Sequence, residues 1–201
     1  MPLQWILAKG GLRLAHAATV GLNGKGLVLF GKGGSGKSGT TLAGLAVGMN
    51  TVGDDYIALG IGNQLFARAV FNHVKQDEDG VERIPGLRNR LGDKVKNWRG
   101  KYEFRPETMF KEAFVKEMHI YGALVLTISH QLKPKISQVS PAEVLLALIN
   151  SNAQYDPARP DGGLRFFADF LRKLPCYRIN LSESAIENGM ALKALLADLN
   201  R

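Results

Sequence analysis

The octet Gly31-Lys32-Gly33-Gly34-Ser35-Gly36-Lys37-Ser38 matches the phosphate-binding pattern GxxxxGK[ST] at every fixed position. The apolar run Gly26-Leu27-Val28-Leu29-Phe30 precedes it and reads as a buried strand. Thr40, Thr41, Leu42, Ala43, Leu45 and Ala46 follow and can form a helix with an apolar face. Strand, glycine-rich turn and helix form the context in which the motif works. A loop with few Cβ atoms lets backbone N–H groups converge on phosphate oxygens at a helix N-terminus. Lys37 is then expected to reach the β- and γ-phosphates, and the Ser38 hydroxyl to hold Mg²⁺. The octet with Gly39 is the expected nucleotide-binding segment.

Outward from this loop, the chain has the length of one domain. Its 201 residues suffice to bury a sizeable core, and 45% hydrophobic with 22% charged residues is ordinary for a globular protein. The single cysteine, Cys176, excludes an internal disulfide framework and a multi-cysteine zinc site, which suits a reducing cytoplasm. No apolar run has the length of a membrane span, and Met1-Pro2-Leu3-Gln4-Trp5 lacks a basic region followed by a long apolar one.

The net charge of +8 is unevenly placed. Residues 83–105 hold eight cations (Arg83, Arg88, Arg90, Lys94, Lys96, Arg99, Lys101, Arg105) against Asp93 and Glu103. Such a stretch suits an acidic partner, nucleic acid or nucleotide phosphates, and equally a solvated surface segment. No nucleic-acid-binding fold is recognisable, so nucleic acid is not the expected partner.

The patterning predicts helices at 2–8, 37–47, 163–173 and 185–199, and one opening at Ser140-Pro141-Ala142-Glu143 with Ser140 as N-cap. Strands are expected at 12–20 and 26–30 about a hairpin connection at 21–25, and in a short run ending at Gly53. Others are expected at 56–59, before a second hairpin signal at 60–63, at 120–128 and at 175–181. Residues 64–74 read as a strand or a short helix. Residues 76–105, polar, basic and punctuated by Pro85, Gly86, Gly92 and Gly100, are expected to form a mobile loop. The expected fold is α/β leaning to α+β: one P-loop domain over 1–201, a mixed sheet with flanking helices.

The acids decide the chemistry. The strand at 124–128 ends in Ser129-His130 rather than in an Asp, so the nearest acids are Asp54 and Asp55, 17 and 18 residues past Lys37. One helix and one short strand return the chain to the same sheet edge, which can bring the pair beside the γ-phosphate. One carboxylate would then serve the metal and the other accept a proton from an attacking hydroxyl. A solvated Asp-Asp turn fits the same residues. His16, fifteen residues before Gly31, lies on the segment expected beside the P-loop strand and is either an active-site neighbour or a structural histidine.

His16-Ala17-Ala18, the P-loop and Asp54-Asp55 at these intervals resemble the catalytic domain of HPr kinase/phosphorylase and its bacterial serine-kinase relatives. Val70-Phe71-Asn72-His73-Val74-Lys75, Ser140-Pro141-Ala142-Glu143 and Leu174-Pro175-Cys176-Tyr177-Arg178 are similar to further segments of those relatives, so the resemblance spans nearly the whole chain. It implies an HPr kinase/PEP carboxykinase-like fold. It also implies phosphate and Mg²⁺ contacts for Lys37 and Ser38, Asp55 as proton acceptor, Asp54 as supporting acid and His16 beside them. The family's Glu-x-Arg-Gly-Leu-Gly-like signature has only a shifted counterpart in Glu82-Arg83-Ile84-Pro85-Gly86-Leu87, which leaves Glu82 as a candidate metal ligand and argues against phosphorylase activity. The chain begins too near His16 to include the family's N-terminal domain.

The leading expectation is an ATP- and Mg²⁺-dependent kinase acting on a serine of a small protein or peptide. A small-molecule kinase and a non-catalytic nucleotide-gated binding module are the alternatives. No Asn-Lys-x-Asp guanine motif occurs, which favours adenine modestly, and a homo-oligomer stays open.

Overall fold

The structure is a computed structural model and describes residues 2–129, 131–151 and 163–199. In chain order the helices are α1 (Pro2–Lys9), α2 (Lys37–Ala46), α3 (Glu78–Glu82), α4 (Leu87–Leu91), α5 (Pro141–Ser151), α6 (Leu164–Arg172) and α7 (Ala185–Asp198). The strands are β1 (Leu12–Ala15), β2 (Ala18–Leu22), β3 (Lys25–Phe30), β4 (Ile57–Ile61), β5 (Leu65–Ala69), β6 (Val74–Gln76), β7 (Tyr102–Phe104), β8 (Glu117–Ile128), β9 (Lys135–Gln138) and β10 (Cys176–Leu181). This is a mixed α/β fold with a central mixed sheet and flanking helices.

β8 organises the sheet. It pairs antiparallel with β5 through residues 117–119, and parallel with β3 through 119–125 and with β10 through 123–128. β4 and β1 extend the sheet beyond β5, β9 closes it beyond β10, and β2 adds to β3 through a hairpin. That hairpin turns on Asn23 and Gly24, both at positive φ, the two-residue connection that Asn-Gly favours. β9, unforeseen from its sequence, is four residues long with only Ile136 apolar, too short to show a period.

Successive side chains of a strand point to opposite faces, and the cores follow that alternation. Val28 and Phe30 of β3 face α5 and α6, where Val144, Leu148, Phe167 and Phe170 are buried. Leu27 and Leu29 face the other layer with Leu192 and Leu196 of α7. α2 lies against α7, and Leu42 and Leu45 on α2 enter a third core.

That third core corrects one expectation. Residues 76–105 are not a structureless loop: they contain α3, α4 and β7, and β7 pairs with β6. Val81, Ile84, Leu87, Leu91, Tyr102 and Phe104 are buried against α2. Several of the cations around them find partners: Arg88 reaches Glu78 and Tyr102, and Arg90 the Met109 carbonyl. Lys96 lies 2.5 Å from Glu78, which also accepts a hydrogen bond from the Tyr102 hydroxyl. Among the described residues, no helix is long and apolar enough to cross a membrane.

Candidate functional site

The octet forms the turn between β3 and α2. Gly34 (φ 77°) and Gly36 (φ 94°) take left-handed conformations that a side chain would strain. A Cβ on Gly36 would also meet Leu181 Cδ1 at 2.8 Å, so the loop lies directly on the end of β10. Gly31 packs against the Ser35 side chain. The loop thus folds around its own small residues and presents the first turn of α2, where unpaired backbone N–H groups and the helix dipole favour an anion.

Lys37 is buried beneath the loop, donating to the Gly31 carbonyl at 2.6 Å and to the Lys32 carbonyl at 3.3 Å. Burial holds its ammonium below the usual lysine range, while the charges of Asp54 and Asp55 pull the other way.

The two adjacent acids are not equivalent. Asp54 is buried at 4% exposure, and this desolvation pushes its carboxyl up to about 6, against the opposing effect of hydrogen bonds from the Ser38 hydroxyl and the Lys75 backbone N–H. Its Oδ1 is buried with no hydrogen-bond partner. Asp55 is half-exposed, and the hydrogen bond from His16 holds it below the usual carboxylate range, aided by the charges of His16, Lys75 and Lys37. His16 Nε2 lies 3.2 Å from Asp55 Oδ1, and Lys75 Nζ lies 3.9 Å from Oδ2.

His16 occupies the break between β1 and β2. Its Nδ1 is 3.1 Å from the Ser151 carbonyl oxygen at the end of α5, and its ring rests on Tyr56 with centroids 5.3 Å apart. Both the Ser151 carbonyl and the Asp55 carboxylate are hydrogen-bond acceptors facing the ring nitrogens.

These groups line one cavity of about 620 Å³, within the range of small-molecule sites. Gly33, Gly34, Gly36, Lys37, Ser38, Gly39, Asp54, Asp55 and His16 all border it. Gly31, Lys32 and Ser35 do not. Glu82 is exposed on α3, 3.9 Å from Arg88, and lies outside the cavity lining. Among the described residues, no cluster of three or more His, Cys, Asp or Glu could hold a metal by itself.

Of the cavity's other walls, Arg83, Arg99 and Lys101 belong to the basic 83–105 stretch, while Asp79, Trp98, Ser182 and Asn188 carried no signal in the sequence. β6 and α3 contribute Lys75, Asp79 and Arg83, a turn before β7 contributes Trp98, Arg99 and Lys101, and the β10–α7 connection contributes Ser182 and Asn188. None belongs to a motif, and only the pairing of β6 with β7 brings the first two groups together.

No family model and no curated protein matches this chain. Among solved structures it is similar to the Hpr(Ser) kinase/phosphatase from Coxiella burnetii, with 14% sequence identity and a TM-score of 0.47. That match covers 92% of this chain and 99% of the other. What the site can do follows from its own geometry.

Proposed function

We propose that this chain is a single-domain, ATP- and Mg²⁺-dependent kinase that transfers the γ-phosphate to a serine hydroxyl of a small protein or peptide. The observation that carries this reading is the convergence on one cavity of a P-loop with its lysine, a buried carboxylate beside the P-loop serine, and an exposed carboxylate braced by a histidine.

The residues fit Mg²⁺. Asp54 Oδ1 is a buried oxygen with no other partner, and the Ser38 hydroxyl faces the same carboxylate, an oxygen-only donor set of the kind a hard cation takes together with phosphate oxygens. Bound there, Mg²⁺ would neutralise charge on the phosphates. The α2 N-terminus and the loop amides would orient the triphosphate. Lys37, released from the Gly31 carbonyl, would pair with it.

Transfer forms a bond from the serine oxygen to the γ-phosphorus and breaks the bond to the β–γ bridging oxygen, which leaves on ADP. The hydroxyl proton passes to Asp55. A loose transition state makes the attacking oxygen acidic late, so a positioned, ionised carboxylate suffices even when its affinity for protons is low. His16 and Lys75 keep Asp55 ionised and fixed in place.

Mass spectrometry of serine peptides incubated with γ-labelled ATP tests the assignment. Lys37→Ala should abolish both nucleotide binding and labelling. Asp55→Asn should bind nucleotide and lose transfer by about 10²-fold or more, the scale of general-base catalysis.

A further inference from the structure

Trp98 is 87% exposed, yet it borders the same cavity as the P-loop. Its position is built. The Asn97 N–H donates to the Lys101 carbonyl at 2.8 Å, and the Gly100 N–H to the Asn97 carbonyl at 2.9 Å. Asn97 Oδ1 accepts from the Arg99 and Lys101 N–H groups, and Nδ2 donates to Glu103 on β7. The Arg99 guanidinium covers the indole ring at 4.5 Å from its centroid. A hydrogen-bonded turn thus carries a flat ring on the cavity wall, with a cation on one face.

We propose that Trp98 is the stacking platform for the nucleobase of the nucleotide held by the P-loop, an inference that rests on the proposed nucleotide site. The other ring in the lining, His16, is already engaged by Asp55, Ser151 and Tyr56. Lys101, three residues along the same turn, is close enough to Lys37 for its charge to depress that lysine's pKa. One short turn thus reaches from the phosphate end of the cavity to its mouth, as a nucleotide does. The acceptor hydroxyl has its own place at Asp55, away from any need for an aromatic surface.

The cavity's charges do not favour another occupant of this wall: Lys75, Arg83, Arg99 and Lys101 stand among Asp77, Asp79 and Glu103. The Asn97 amide oxygen accepts twice within the turn and Nδ2 donates to Glu103, which leaves one Nδ2 hydrogen at the cavity wall. Stacking tolerates different bases and favours the larger purine rings. ATP and GTP are therefore expected to bind alike, and both tighter than CTP or UTP.

Affinities of ATP, GTP and inorganic triphosphate with Mg²⁺ test this in the full chain. Trp98→Ala should weaken ATP and GTP about tenfold, as loss of a base–aromatic stack does, and leave triphosphate unchanged. Trp98→Phe should recover most of the loss. In a Trp5→Phe background, ATP should quench the remaining indole emission and triphosphate should not. Unchanged ATP affinity in Trp98→Ala, or an equal loss for triphosphate, overturns the platform while leaving the P-loop reading to its own control, Lys37→Ala. Absence of binding by all three probes to the unaltered chain removes the nucleotide site and the platform with it.

Discussion

Two carboxylates adjacent in the chain, Asp54 and Asp55, sit in opposite environments, and their titration should separate them. Burial raises Asp54 from 3.8 to about 6, so between these values the folded chain holds a proton that the unfolded chain has lost. Stability should therefore fall as pH rises through that window, by at most about 3 kcal/mol. Asp54→Asn should be more stable than the parent near pH 8 and gain nothing near pH 4, at the expense of Mg²⁺ affinity. Denaturant titrations at the two pH values decide it, and an equal effect at both would rule out a burial cost. Asp55 runs the other way: its lowered pKa contributes stability that is present above its unfolded value and lost as pH falls through the folded one. Because the His16 hydrogen bond is the largest cause, His16→Ala should raise the Asp55 pKa and move the acid limb of the pH–rate profile upward.

At the scale of elements, two glycines fix how α2 is seated. Gly36 needs its left-handed backbone and meets Leu181, so Gly36→Ala should cost about 1–3 kcal/mol of stability and impair nucleotide affinity. Gly189 on α7 packs against the Ala43 backbone of α2, with a Cβ there only 2.8 Å from the Ala43 carbonyl carbon. Gly189→Ala should cost about 1–3 kcal/mol through overpacking and leave the nucleotide affinity of the folded protein intact. Thermal melts and nucleotide titrations of the pair separate a loop effect from a packing one.

Elements with a clear period or cap were legible in the sequence: β3, β8, α2, and α5 with its Ser140 cap, which accepts from the Glu143 N–H at 3.3 Å. The 76–105 stretch was not. Its buried Val81, Ile84, Leu87 and Leu91 keep a helix-like spacing, but Pro85 and Gly86 split it between two five-residue helices and the surrounding charges mask it. Of the candidate site, the P-loop was legible from its pattern, whereas spacing alone left the acid pair open to a solvated turn and His16 open to a structural role. All of them border one cavity. The unequal burial of the two acids was not legible, because it depends on how β6 crosses above them.

Across the whole molecule, the cavity lies where the P-loop, the β6–β7 unit and the β10–α7 connection approach one another. This explains why the basic segment matters despite the nearly balanced charge of the wall it forms: it completes the container as well as adding cations. The proposed kinase activity is assigned to that container, with Lys37 proposed to serve the donor and Asp55 the acceptor. The most direct test is to compare the unaltered chain with Asp55→Asn, measuring nucleotide affinity and phosphoserine formation on peptides supplied with γ-labelled ATP and Mg²⁺. The account predicts matched nucleotide affinities, with labelled phosphoserine formed by the unaltered chain and almost none by the variant. Equal labelling by the two proteins, or no labelling by either alongside tight nucleotide binding, would contradict it.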